Sequence, residues 1–230
     1  TFKAFILLQT YPEVVMSILS NYTPECIVKA SVSCHVDLLT QKDMEGRIFA
    51  QKLVRAIAIA KATPRRAVTH NKGIMNGVDA VILATGNDFR AVEAAVHAYA
   101  SKNGQYSSLT HARLENDIFT MWIELPLALG TVGGLTSLHP LVGFSFDLLQ
   151  QPNAKKLMQL VAVAGLAQNF AALRSLVTTG IQKGHMKMHL INILNGIQAT
   201  DTEKATAIDH FKANNISQSD VISFIENLRA

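Results

Sequence analysis

Residues 26–39 alternate strictly: Val28, Ala30, Val32, Cys34, Val36 and Leu38 fall on one face, and Lys29, Ser31, Ser33, His35 and Asp37 on the other. A period of two with one apolar face predicts a half-buried antiparallel strand. The period changes over 45–62, where Ile48, Phe49, Leu53, Val54, Ile57 and Ala60 form a stripe at helical spacing. Pro64 ends that helix. Residues 79–85 are a short apolar run that reads as a buried strand. Gly86-Asn87-Asp88 then turns the chain, with Asn87 or Asp88 as the N-cap of a helix reaching about Ser101. Phe119, Met121, Ile123 and Leu125 alternate as a second amphipathic strand, closed by Pro126, and 130–140 is glycine-rich and irregular. Residues 154–179 predict a long helix, apolar nearly all round and therefore buried, with Gly180 as its stop. Two short helices follow Gly184, over 202–213 and 217–228, the second opened by Ser217 with Asp220 three residues on. Strands and helices in this mixed order predict an α+β fold: a body of helices and antiparallel sheet, and a small helical flap hinged near 180–184.

Composition narrows this picture. Hydrophobic residues at 49% and charged residues at 17% describe a globular chain. The 21 basic and 17 acidic side chains leave +4, scattered apart from Arg65-Arg66 and Lys155-Lys156, so no stripe for a nucleic-acid backbone is expected. Gln168 and Asn169 interrupt the longest apolar stretch, which argues against a membrane span, and no leader-type sequence opens the chain. Cys26 and Cys34 are expected to be reduced, which points to the cytoplasm. Thr1 falls inside what reads as an element, so a preceding segment is expected.

Several polar groups sit where a plain fold does not need them. Thr69-His70-Asn71-Lys72-Gly73 reads as a polar loop, either merely solvated or carrying a lysine that stabilises a developing oxyanion. Asp88 is a helix cap or a site residue. Gln168-Asn169 either knits the core or faces a ligand, because buried amides need partners. His185 and His189 stand at i, i+4, which raises zinc, but the run His-Met-Lys-Met-His has no glutamate after the first histidine to serve as base. No metal site is expected, and a single histidine beside a glycine hinge fits a general acid better. Gly130-Thr131-Val132-Gly133-Gly134 lacks the GxGxxG spacing of a dinucleotide cradle.

Taken in order, four segments resemble hydroxymethylglutaryl-CoA reductase of the bacterial, soluble class (class II). They are Arg66-Ala67-Val68-Thr69-His70-Asn71-Lys72-Gly73-Ile74-Met75-Asn76-Gly77; Ala84-Thr85-Gly86-Asn87-Asp88 with Arg90-Ala91-Val92-Glu93-Ala94; Gly165-Leu166-Ala167-Gln168-Asn169; and Gly180-Ile181-Gln182-Lys183-Gly184-His185-Met186. Ser17 to Asn21 also resembles the segment leaving that family's cofactor domain. The resemblance implies reduction of a thioester by two hydrides from NADPH or NADH, giving mevalonate and CoA, in a homodimer with its active site at the subunit interface. It implies Lys72 as oxyanion stabiliser, Asp88 in contact with it, and His185 as the acid that protonates the CoA thiolate. Arg66, Thr69, Asn76 and Gln168 would line the substrate, and Asn21 the cofactor. Residues 1–22 would end an inserted NAD(P)-binding domain, 23–180 belong to the substrate-binding domain, and 181–230 form the flap. The family's catalytic glutamate and its Asp-Ala-Met-Gly signature are absent from these 230 residues, so alone they are expected to be inactive. Gly133-Gly134-Leu135-Thr136-Ser137 and Leu190-Ile191 also depart from the family's usual lysine and arginine. A non-catalytic subunit that binds acyl-CoA or a partner chain is the alternative, and a zinc enzyme the least favoured.

Overall fold

The computed structural model describes residues 15–134, 138–178, 180–211 and 216–229, with the backbone alone over 181–187. Strand β1 (Ile27–His35) and strand β3 (Ile118–Pro126) are antiparallel, as the alternation predicts, with Ile27 opposite Pro126 and His35 opposite Ile118. Between them in sequence lies β2 (Thr110–Glu115), which the sequence reading missed. It pairs with β3 through a two-residue turn, Asn116 and Asp117, whose positive φ of 48° and 63° suits the twist of a tight hairpin. The sheet order is β1-β3-β2. Phe119, Met121, Ile123 and Leu125 point into the core. The alternation predicted for β1 stops early: Val36–Leu39 is a 3-10 turn, Leu38 is exposed, and Val32 is half exposed on an edge strand.

Helix α1 (Gly46–Ala62) buries Phe49, Leu53, Ile57 and Ala60, while Ile48 of the predicted stripe lies outside. Pro64 then occupies the first turn of a new helix, α2 (Pro64–Ala84), where its missing N–H costs nothing. This helix corrects two expectations. The polar loop at 69–73 and the strand at 79–85 are one continuous 21-residue helix. It ends in a glycine motif: Gly86, at φ 66°, donates to Leu83 O, and Asn87 N donates to Ile82 O. Helix α3 (Phe89–Ala100) starts at once, capped by Asp88.

Helix α4 (Pro140–Leu148) precedes the longest helix, α5 (Ala154–Val177). By length and composition α5 could cross a membrane, so Gln168 and Asn169 do not exclude that reading as the sequence suggested. In this fold it lies against α2 and the sheet, and only one face is buried: Leu157, Val161, Gly165, Leu166, Asn169 and Leu173 point in, whereas Val163 and Leu176 are half exposed. The α2–α5 crossing is set by two glycines. A Cβ on Gly77 would fall 2.6 Å from Ala164 O, and one on Gly165 would fall 2.8 Å from Val78 Cγ2. Each leaves room for the other helix.

After Gly180, at φ 81°, helix α6 (Ile181–Gly196) begins without a break at Gly184, so that glycine is helical rather than half of a hinge. Helices α7 (Asp201–His210) and α8 (Gln218–Arg229) complete the tail near the predicted positions. Thr200 and Glu203 form a reciprocal capping box on α7, and Ser217 accepts from Asp220 N at 3.1 Å on α8. The tail has its own core of Leu190, Leu194, Ala199, Ala207, Phe211, Val221 and Ile225.

Candidate active site

Thr69, Lys72 and Asn76 stand at i, i+3 and i+7 on α2, within a ~60° arc at ~100° per residue, and all three are exposed. Gln168 of α5 is exposed beside them, its Cβ 2.8 Å from where a Gly77 Cβ would be. The tight glycine crossing therefore brings four of the predicted residues to one surface. Arg66, one turn nearer the N-terminus of α2, is partly buried; it makes no ion pair among the described residues, and burial lowers its pKa. Lys72 is likewise without an ion pair among the described residues, so its ammonium is free to face a ligand.

The inward face of the same helix is mostly apolar, and its two buried polar side chains, His70 and Asn71, are partnered at every atom but one. Asn71 Nδ2 donates to Ser107 O at 2.9 Å, and Asn71 Oδ1 accepts from Leu109 N at 3.1 Å. His70 Nε2 lies 2.6 Å from Thr110 Oγ1, and Thr110 Oγ1 donates to Asn169 Oδ1 at 3.0 Å. The Gln168-Asn169 question is thus answered by division: Asn169 knits the core, and Gln168 faces outward. His70 Nδ1 has no partner. Burial, and then the nearby Arg66 charge, push the His70 pKa down to about 4, so the ring is neutral at ordinary pH.

Asp88 sits elsewhere. Its Oδ1 accepts from Arg90 N at 3.0 Å and Ala91 N at 3.2 Å, so the capping role read from the sequence is real. Its neighbour Asn87 fixes the turn: the side chain donates to Gly130 O at 3.1 Å and accepts from Gly130 N at 2.9 Å. About 20 Å of helix axis, at ~1.5 Å per residue, separates Lys72 from the C-terminal end of α2 beside Asp88. The contact expected between Lys72 and Asp88 is therefore not made within one chain. His185 lies on α6, but its side chain is outside the described residues; His189, one turn on, is exposed. Asn21 is exposed on irregular chain. Leu190, one of the residues departing from the family pattern, is buried in the tail core, and Leu135, Thr136 and Ser137 lie outside the described residues.

The family model for hydroxymethylglutaryl-coenzyme A reductase matches residues 2–190. The chain belongs to that family. It is 40% identical over 199 residues to the 3-hydroxy-3-methylglutaryl-coenzyme A reductase of Archaeoglobus fulgidus, covering 86% of this chain and 44% of that protein. A probable reductase of the same name from Borreliella burgdorferi is 39% identical over 191 residues, covering 83% and 44%. Among solved structures, the Streptococcus pneumoniae reductase superposes with a TM-score of 0.70 at 42% identity, over 94% of this chain and 52% of that one. A class II structure from the same organism, bound to NADPH in open conformations, gives 0.69 at 41% identity, over 94% and 53%. The chain thus spans 44% of the length of the curated relatives it matches.

Proposed function

We propose that the protein carrying this chain reduces hydroxymethylglutaryl-CoA to mevalonate and CoA with two NADPH or NADH, or runs the reverse, and that this chain supplies the substrate-side machinery. The observation that carries the reading is the unpaired, exposed Lys72 on a rigid helix, flanked by Thr69, Asn76 and Gln168. Hydride arriving at a carbonyl leaves charge on oxygen, and a fixed ammonium there lowers the barrier by several kcal/mol. Arg66, lacking a carboxylate partner among the described residues, suits the acid group of the substrate. His185 is assigned to protonate the departing thiolate, a task for an imidazolium near neutral pH.

Asp88 cannot reach Lys72 in its own chain, which favours a homodimer in which one subunit's Asp88 approaches the other's Lys72. The described residues form no dinucleotide cradle, since Asn21 is exposed and Gly130–Gly134 lacks the spacing. The two separate cores support a division into 1–22, the end of an NAD(P)-binding domain; 23–180, the substrate domain; and 181–230, the flap. Free Cys26 and Cys34 support a cytoplasmic protein, and nothing in the charge pattern calls for nucleic acid.

The test is kinetic and uses two half-reactions. In the protein carrying this chain together with its upstream half, Lys72→Ala should lower kcat at least ~100-fold for both thioester and mevaldehyde reduction, with little change in KM. His185→Gln should cripple the thioester step and spare mevaldehyde. Near-normal kcat in Lys72→Ala would overturn the site.

A further inference from the structure

His70 is the buried histidine of the described chain, 2% exposed and held between three elements. Ser108 Oγ donates to Thr110 O at 2.9 Å, so the hydrogen that Thr110 Oγ1 gives to Asn169 is its own. Having spent that hydrogen, Thr110 Oγ1 can only accept from His70, which places the imidazole proton on Nε2. Nδ1 is then a bare acceptor, sealed from solvent and without a partner. Residues at i and i+4 share a helix face, and a helical side chain leans toward the N-terminus. His70 therefore leans over the turn that carries Arg66, whose five N–H donors have no partner among the described residues.

We infer that His70 is a positioning residue: locked as the Nε2–H tautomer by Thr110 and Asn169, it offers Nδ1, unpaired in this structure, to one N–H of the Arg66 guanidinium as Arg66 turns to an anionic substrate group, and so fixes the direction of that meeting. A neutral acceptor suits this task better than a carboxylate. It orients the guanidinium fork without cancelling its charge, which stays available to the ligand. The depressed His70 pKa agrees, because the Arg66 charge itself helps to keep the ring neutral. The inference deepens the proposed function, since it rests on Arg66 as a substrate contact.

Nitrogen NMR of the protein labelled at histidine reads the tautomer without turnover. Nδ1 should resonate as an unprotonated nitrogen and Nε2 as a protonated one, unchanged from pH 5 to pH 8, and Arg66→Lys should move the Nδ1 signal more than Nε2. The opposite tautomer, or titration near the ordinary value of 6.5, overturns the inference. A kinetic cycle in the protein carrying this chain together with its upstream half reads the consequence. His70→Leu should raise KM for hydroxymethylglutaryl-CoA roughly tenfold, the order expected for one charge-assisted hydrogen bond, with kcat within about twofold. In an Arg66→Lys background the same change should add little, whereas an undiminished effect there overturns the link to Arg66. Should His70→Leu fail to fold, His70→Gln, which keeps a donor for Thr110, takes its place in the cycle. Absence of any reductase activity in the protein carrying this chain together with its upstream half would sink the proposed function, and the tautomer result would still decide the inference.

Discussion

The body core, from Ala30 to Leu173, encloses the side chains of His70, Asn71, Thr85, Ser108, Thr110 and Asn169, whereas the tail core, from Leu190 to Ile225, encloses only apolar ones among the described residues. In the body, apolar burial supplies adhesion and the polar chain from α2 through β2 to α5 selects one register, because any slip strands buried donors. The tail is kept by seven buried apolar residues, a capping box, and the Arg229–Glu203 ion pair on its surface. A small apolar core with surface ties opens more readily than a large one pinned by buried polar groups. The part assigned to hold substrate is thus built for fixed geometry, and the part bearing His185 for easier movement.

The comparison breaks most visibly at the glycine crossing. Gly77→Ala would press a methyl against the Ala164 carbonyl, and backbone cannot step aside as a side-chain tip can. We expect a loss of about 3 kcal/mol and a melting temperature lower by about 10 °C. An unchanged melt would mean that the helices separate at little cost and that the body is not rigid there.

Next in size is Leu194→Ala in the tail, where a fully buried leucine leaves a cavity costing about 2–3 kcal/mol. Hydrogen exchange should show amides of 190–225 losing protection while α2 and α5 keep theirs. Equal loss in both regions would join the two cores into one cooperative unit.

The smallest effect concerns a flaw in the body. Burial, then the Glu93 carboxylate, raise Asp79 to about 6 from 3.8. The folded state therefore holds this proton more tightly than the unfolded one. Its charging penalty is absent below pH 4, grows through pH 4–6, and is complete above it. Asp79→Asn should stabilise the protein by about 1 kcal/mol at pH 8 and not at all at pH 4, after allowing for partial solvation. Denaturant melts at the two pH values check this, and a gain that persists at pH 4 would refute the assigned cause.

What the sequence revealed follows the range of the forces involved. The alternation of β3, the stripe of α1, and the caps at Asp88 and Ser217 are local and were legible. Helix α2 was not, because its inward polar residues find partners 36 to 40 residues away, and Gly77 serves a neighbouring helix rather than a turn. Strand β2 shows only a weak apolar alternation of its own, and is defined by its pairing with β3 and by the Asn116-Asp117 turn. The residues of the site were legible as a set by resemblance, but their arrangement was not. That Thr69, Lys72, Asn76 and Gln168 share a surface while Asp88 stands apart depends on α2 being helical throughout.

That unbroken helix is also a gauge. Inserting one residue between Lys72 and Thr85 would lengthen it by about 1.5 Å and turn everything beyond by about 100°. The direction from the lysine to the aspartate turn would change by that angle, and no adjustment of a loop could restore it. Over this stretch the protein can change its letters but not their number.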